Sequence, residues 1–148
     1  MAPGQIVALI LLCAGGAAVA IQAPINGGLG RSLASPVAAA AVSFGVGFAA
    51  LVLVTLVTAG TAPAGRLAGV PLWQLTGGFL GAFYVWSIIS GIGATGALTA
   101  LAAIILGQMV AGLTLDHLGA FGLPVHTVSP RRIAAVAMVA GGLILSRG

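Results

Sequence analysis

Residues 36–58 read PVAAAAVSFGVGFAALVLVTLVT and contain no charged residue. A helix needs about 20 apolar residues to cross a bilayer core about 30 Å thick, and this run is long enough. Ser35 and Pro36 start it well, because serine caps a helix N-terminus and proline loses nothing in the first helical position. The run predicts a transmembrane helix.

Similar apolar stretches lie on both sides of this run. Ser129-Pro130 repeats the cap, and Trp73 is placed where an aromatic side chain would anchor at the membrane surface. We predict a tight reversal at residues 91–96, between the third and fourth helices. The predicted transmembrane helices are 4–28, 36–58, 71–90, 94–115 and 131–146, which together make 1–148 a single transmembrane domain. We expect the first run to be retained, because it lacks the basic leading region of a signal peptide.

The composition supports a membrane location. Of the 148 residues, 60% are hydrophobic and 4% are charged, whereas an average soluble domain has about 25% charged residues. Asp116 is the only acidic residue, and the basic residues form no cluster beyond Arg131-Arg132. A nucleic-acid partner would require such a cluster, so we predict none and expect the lipid bilayer as the surrounding medium.

Five helices would place the two chain ends on opposite sides of the membrane. The arginines are then split three to two: Arg66, Arg131 and Arg132 on one side, and Arg31 and Arg147 on the other. Because Lys/Arg asymmetry sets the orientation of membrane proteins, so small a bias predicts insertion both ways. The hypothesis is an antiparallel homodimer of ten helices, which resembles the inverted repeats of secondary transporters. A single orientation is the alternative.

Polar residues inside predicted membrane helices are candidates for binding, because they are costly there. Gln22 and Asn26 flank Pro24, which cannot donate to the carbonyl of Ala20 and predicts a kinked or broken helix end. Such an end could bind a small polar solute. The alternative is that the two amides satisfy the freed carbonyls. In an antiparallel dimer, Gln22 and Asn26 would lie at the membrane level of the partner's Asp116.

Three further residues are candidate substrate ligands in the predicted helices. Ser43 is a hydroxyl in the second helix, and Trp86 could contact a flat or cationic substrate, although aromatic stripes more often serve packing. Gln108 lies near the middle of the fourth helix, where its amide could bond either a neighbouring helix or a substrate.

Asp116 and His117 end the fourth helix. Asp116 could form an ion pair with Arg131 or Arg132 as a structural clasp. It is also the only carboxylate that could couple transport to protons. His117 is a second proton-coupling candidate, because imidazole changes charge near neutral pH.

Nothing in the sequence predicts an enzyme. Two histidines and one aspartate are too few to argue for a metal site, and the chain has no phosphate-binding loop of the Walker type. We therefore predict no catalytic residue, no metal and no cofactor. Without a nucleotide site, any uphill transport would have to use an ion gradient.

Five short motifs occur in order along nearly the whole chain: QAPING (22–27), SFGVG (43–47), GGFLGA (77–82), GQM (107–109) and LDHLG (115–119). Together they resemble the YdcZ-like family of the drug/metabolite transporter superfamily. The resemblance implies a multi-pass protein of the bacterial inner membrane. It also implies five helices per chain and antiparallel dimers, of identical chains or of two similar ones, with a substrate cavity at the dimer interface. The positions matching the motifs include Gln22, Asn26, Gln108 and Asp116.

The predicted function is secondary transport of small organic solutes by alternating access. Protons are the ion expected to drive any uphill transport. One alternative is an ion channel formed by a dual-topology dimer, which would pass ions without saturating at the turnover of a carrier. A second alternative is an assembly subunit without transport activity, which would co-purify with a stable partner.

Overall fold

The computed structural model describes residues 3–147, and every regular element in that range is helical. The α-helices are α1 (Pro3–Ser32), α2 (Pro36–Ala59), α3 (Ala62–Arg66), α4 (Gly77–Thr95), α5 (Ala97–Leu118) and α6 (Pro130–Leu145). Short 3₁₀ turns occupy Leu67–Gly69, Leu72–Thr76 and Ala120–Gly122.

Within residues 3–147, four segments are long and apolar enough to cross a membrane: Gly4–Ser32, Pro36–Ala59, Leu72–Thr95 and Ala97–Leu118. The third begins in a 3₁₀ turn and continues as α4. Such segments satisfy their backbone hydrogen bonds internally, which hydrocarbon requires. The chain is therefore an integral membrane protein surrounded by lipid. The fifth predicted span corresponds to α6, which has 16 residues.

The predicted N-terminal caps are confirmed for α2 and α6. The Ser35 side chain accepts a hydrogen bond from the backbone N–H of Ala38 at 3.1 Å, with Pro36 in the first turn. The Ser129 side chain accepts from the N–H of Arg132 at 3.4 Å, and Pro130 follows it. Each serine satisfies one donor that the first turn of a helix leaves free.

The break predicted between the third and fourth helices falls within residues 91–96, but it is shorter than predicted. α4 continues to Thr95 and α5 begins at Ala97, so Gly96, with φ at +77°, is the only residue between them. Helical glycines cost about 1 kcal/mol each relative to alanine. Unpaired backbone groups in an apolar medium cost more, which favours continuing the helix through Gly91 and Gly93.

The broken helix predicted at Pro24 is wrong, and the first helix extends beyond its predicted end at residue 28. α1 runs through Pro24 to Ser32 without interruption. Proline removes one hydrogen bond, but the hydrogen bonds of the following turns, through Leu33 N–H to the Leu29 carbonyl, remain. The broken helix end on which the first binding hypothesis depended is absent, while a bend at Pro24 stays a prediction.

The first compact unit extends through Ile92. Its core consists of Ala39 and Ala40 of α2 packed with Val85 and Ile89 of α4, and Leu29 of α1 packs against this cluster. Gly30 makes the closest approach: a Cβ built there would lie 2.7 Å from Ile89 Cγ2 and 3.8 Å from Ala39 Cβ. Small residues on α1 and α2 thus allow three helices to pack closely.

The second compact unit begins at Gly93 and contains α5 and α6. α5 ends at Gly119, whose φ of +59° is the left-handed conformation common at helix C-termini. A Cβ on Gly119 would lie 2.7 Å from Val125 Cγ2, so the loop folds back closely over the helix end. The predicted single domain over 1–148 stays a prediction, and its residues 1, 2 and 148 lie outside the described range.

Candidate functional site

A cavity of about 310 Å³ opens in the first unit between α1, α2 and α4. Two of its lining residues are polar, Gln22 from α1 and Ser43 from α2. The remaining lining is Phe44, Gly47, Phe48, Leu51 and Val85. The structure thus brings together two residues that the sequence identified as candidate ligands, and it places them against an apolar wall.

The polar groups of this cavity have no hydrogen-bond partner among residues 3–147. Neither the Gln22 amide nor the Ser43 hydroxyl forms a hydrogen bond with any residue that the structure describes. Other helical hydroxyls behave differently: Thr55 donates to the Leu51 carbonyl and Thr58 to the Val54 carbonyl, both at 2.8 Å. Gln22 and Ser43 therefore remain available to a ligand.

Asn26 follows Gln22 by one helical turn and is buried, with 6% of its surface exposed. It lies on the packed face of α1 with Ala23 and Gly30. Its side chain, like that of Gln22, forms no hydrogen bond within residues 3–147. Its amide atoms are not fully enclosed, however, since no completely buried side-chain nitrogen or oxygen among the described residues lacks a partner.

Trp86 lines a second cavity of the first unit, of about 320 Å³. The other lining residues are Val37, Ala40, Ala41, Phe44, Ala82 and Phe83. The rings of Phe83 and Trp86 lie 5.7 Å apart between centroids and are tilted by 40°. Phe44 lines both cavities, so the aromatic wall and the Gln22–Ser43 pair are adjacent. Phe44 was not among the candidate residues predicted from the sequence, which missed its position between them.

Asp116 pairs with Arg132 in the second unit, as the clasp hypothesis predicted. Its carboxylate accepts a charged hydrogen bond from Arg132 Nη2. Arg132 Nη1 donates to the His126 carbonyl at 2.8 Å, and the His126 backbone N–H donates to the Asp116 carbonyl at 2.8 Å. The three residues form a closed ring of hydrogen bonds that joins the end of α5, the loop and the start of α6.

The other candidates of the second unit are more exposed. Gln108 and His117 both lie on exposed positions of α5, and neither side chain has a hydrogen-bond partner in the described part of the chain. Asp116 and Arg132 also line a cavity of about 260 Å³ with residues of α5 and α6. The structure therefore groups Asp116 with Arg132 and His126, while Gln108 and His117 face outwards.

A second polar contact joins the start of α5 to the end of α6, at the other end of the helix pair from Asp116 and Arg132. Thr99, 8% exposed, donates to the Ser146 carbonyl at 2.9 Å. The Ser146 hydroxyl donates to the Leu143 carbonyl at 2.8 Å and lies 3.2 Å from Thr99 Oγ1. Thr99 was not among the candidate ligands predicted from the sequence. Hydroxyls near opposite ends of two consecutive apolar helices were the signal that could have identified the contact.

No metal site is formed by the side chains in residues 3–147, since no three of their His, Cys, Asp or Glu residues come together. The available chemistry is hydrogen bonding by uncharged groups in the first unit and an ion pair in the second.

Comparison with known proteins gives one family. The family described as "Putative inner membrane exporter, YdcZ" matches residues 7–145. The Inner membrane protein YdcZ of Escherichia coli (strain K12) is 32% identical over 103 residues, which cover 69% of this chain and 69% of that protein. No solved structure matches the chain.

Proposed function

The chain belongs to the YdcZ family of multi-pass inner membrane proteins, and from this membership we propose that it is a secondary transporter of small organic solutes working by alternating access. Membrane transporters are not a class of enzyme, so the proposal includes no catalytic activity. The observation that carries the proposal is the cavity where Gln22 and Ser43 have no hydrogen-bond partner in the part of the chain that the structure describes. In hydrocarbon such groups need a partner, and a transported solute supplies one.

We place α6 across the membrane as the fifth span. Two contacts fix it antiparallel to α5: Thr99 with Ser146 at one end and Asp116 with Arg132 at the other. From residue 99 to residue 116 α5 rises about 26 Å, and from 132 to 146 α6 rises about 21 Å. A helix held alongside most of a membrane span in this way crosses the same layer.

Five spans leave the two chain ends on opposite sides and support the antiparallel dimer. The four long spans bury few of their residues within the chain: in one 18-residue window of each, the buried share is 6% in the first and fourth, 11% in the second and 22% in the third. A second copy would cover part of this surface, and an axis in the membrane plane would give ten helices. The substrate cavity would then lie at the dimer interface.

For energy coupling, protons remain our proposal: His117 is the group that we expect to carry them, and Asp116 is the alternative. His117 is exposed, whereas Asp116 is held by Arg132. Both lie at the end of α5, where a proton could be exchanged with water at the membrane surface.

The test measures which solutes of a metabolite mixture enter vesicles that contain the protein. Proteoliposomes containing the purified protein would be incubated with an extract of small metabolites, washed and examined by mass spectrometry. We expect at least one solute to enter with saturable kinetics and to be excluded from vesicles with Gln22→Leu/Ser43→Ala. Gln74→Leu, at an exposed position outside the cavity, is the matched control. Equal solute contents in protein-containing and empty vesicles would contradict transport, and unsaturable ion flux would indicate a channel.

A further inference from the structure

The cavity of Gln22 and Ser43 offers hydrogen bonds without charge. An amide carries two donors and an acceptor, and a hydroxyl can donate or accept. The Ser43 hydroxyl does not bond back to its own helix, unlike those of Thr55 and Thr58 on the same helix. A ligand group that both donates and accepts would satisfy both side chains.

The rest of the cavity is apolar. Phe44, Phe48, Leu51 and Val85 form its wall, and its volume of about 310 Å³ suits a small organic molecule. Burying an apolar body against this wall is favourable by about 25 cal/mol for each Å² removed from water. The occupant that matches both parts is therefore amphipathic.

No carboxylate is available to a cationic ligand. Asp116 is the only acidic residue of the chain, and it is paired with Arg132. A second copy of the chain would bring the same pair, so the proposed dimer has no additional free acid. A cation in the cavity would lose its hydration without gaining a counter-charge, which is strongly unfavourable.

A basic residue is also absent from the cavity wall. The nearest arginine along α1 is Arg31, nine residues after Gln22 and about 13 Å further along the helix axis. Its guanidinium folds back along α1, with Nη1 at 3.8 Å from an ideal Cβ on Gly27 and Nη2 at 3.8 Å from one on Gly28. An anion in the cavity would therefore lack direct charge pairing as well.

We infer that the solute bound in this cavity is uncharged: an apolar body against Phe44 and Phe48, with one amide-like or alcohol group hydrogen-bonded to Gln22 and Ser43. This inference rests on the proposed transport function and specifies its substrate class. The sequence hypothesis of a cation held by Trp86 is a separate one, because Trp86 lines the neighbouring cavity.

The experiment compares three molecules that share a ring system and differ in charge: indole-3-acetamide, tryptamine and indole-3-acetate. Tritiated indole-3-acetamide would be bound to the purified protein in lipid nanodiscs, with competition by each unlabelled compound. We expect saturable binding, with the amide competing at concentrations about tenfold lower than either charged compound. Gln22→Leu should weaken binding by about tenfold, the loss expected for one good hydrogen bond, and Gln74→Leu should bind as the unmodified protein does.

A charge substitution makes the test directional. Gln22→Glu keeps the size of the side chain and adds the missing carboxylate, so the preference should move towards tryptamine. Stronger competition by tryptamine or indole-3-acetate in the unmodified protein would overturn the inference. So would unchanged binding in Gln22→Leu, or the absence of saturable binding. The transport proposal is judged separately by the metabolite exchange of the proteoliposomes, which can succeed with a charged solute.

Discussion

At the scale of single residues, Gly30 limits how closely α1, α2 and α4 can pack. Gly30→Ala would place a methyl group 2.7 Å from Ile89 Cγ2. Because Ile89 is β-branched and buried, it cannot turn aside freely. We expect a loss of about 1–3 kcal/mol in the free energy of unfolding, the usual cost of overpacking. Thermal unfolding of the purified protein in detergent would measure the loss.

Gly16 provides the control for this prediction. It is a helical glycine of the same helix, and a Cβ there would meet nothing within 4 Å. Gly16→Ala should leave the unfolding midpoint unchanged or slightly raised, since alanine favours helix. Equal midpoints for the two variants would show that the close approach at Gly30 does not limit packing.

Asp116 can be tested for its two hypothesised roles with one substitution. Asp116→Asn removes the charge that pairs with Arg132 but keeps the size of the side chain. We expect a loss of about 1 kcal/mol in stability, since both partners are about one-third exposed. The pH dependence of transport should remain, because we expect a carboxylate held in an ion pair with Arg132 not to exchange the coupling proton. Transport measured from pH 5 to 8 in variant proteoliposomes checks this, with His117→Gln in parallel.

The two results separate the roles. A flat pH profile in a folded Asp116→Asn protein would make Asp116 the coupling acid, contrary to our expectation. A flat profile only in His117→Gln would assign the coupling to the imidazole.

At the scale of elements, α5 and α6 are held together at both ends by polar contacts. Thr99→Val removes the hydroxyl that donates to the Ser146 carbonyl and preserves the shape of the side chain. We expect a loss of about 1 kcal/mol in stability, the net value of one hydrogen bond. Thr114→Val is matched, because Thr114 is exposed and bonds only to the Val110 carbonyl of its own helix. If both variants unfold at the same temperature, the Thr99 contact contributes nothing to helix pairing.

Element positions could be predicted well from the sequence where local rules apply. Ser35 and Ser129 cap their helices because the cap depends on a few adjacent residues. The broken helix at Pro24 was wrong, and the break within residues 91–96 is confined to Gly96, because glycine and proline weaken a helix less than an apolar medium favours it.

The candidate site was only partly predictable. The sequence singled out Gln22 and Ser43 as polar residues, but their meeting in one cavity depends on how α1 packs on α2. The Asp116–Arg132 pair could be anticipated, since one acid and two neighbouring arginines left few choices. The Thr99–Ser146 contact depends on the register between two helices, which residue spacing alone does not determine.

At the scale of the whole molecule, the near-balance of arginines predicts two orientations in the membrane. Thr127 lies exposed in the loop before α6 and provides a labelling site when Cys13 is replaced by alanine. With Thr127→Cys as the single thiol, we expect an impermeant reagent to label about half of the molecules in intact cells. Complete labelling, or none, would establish one orientation and would exclude the antiparallel homodimer. An oppositely inserted partner chain would then be required.

The brevity of α6 has a consequence for the membrane itself. Its 16 residues extend about 24 Å, less than the about 30 Å of an average hydrocarbon core. If α6 crosses as proposed, lipids beside it must shorten, or Arg131 and Arg147 must reach outwards to the headgroups. In either case, a thin bilayer would cost less free energy of mismatch beside α6 than a thick one. Hydrophobic mismatch would then sort the protein towards lipids with short acyl chains and tilt the balance between its conformations wherever membrane thickness changes.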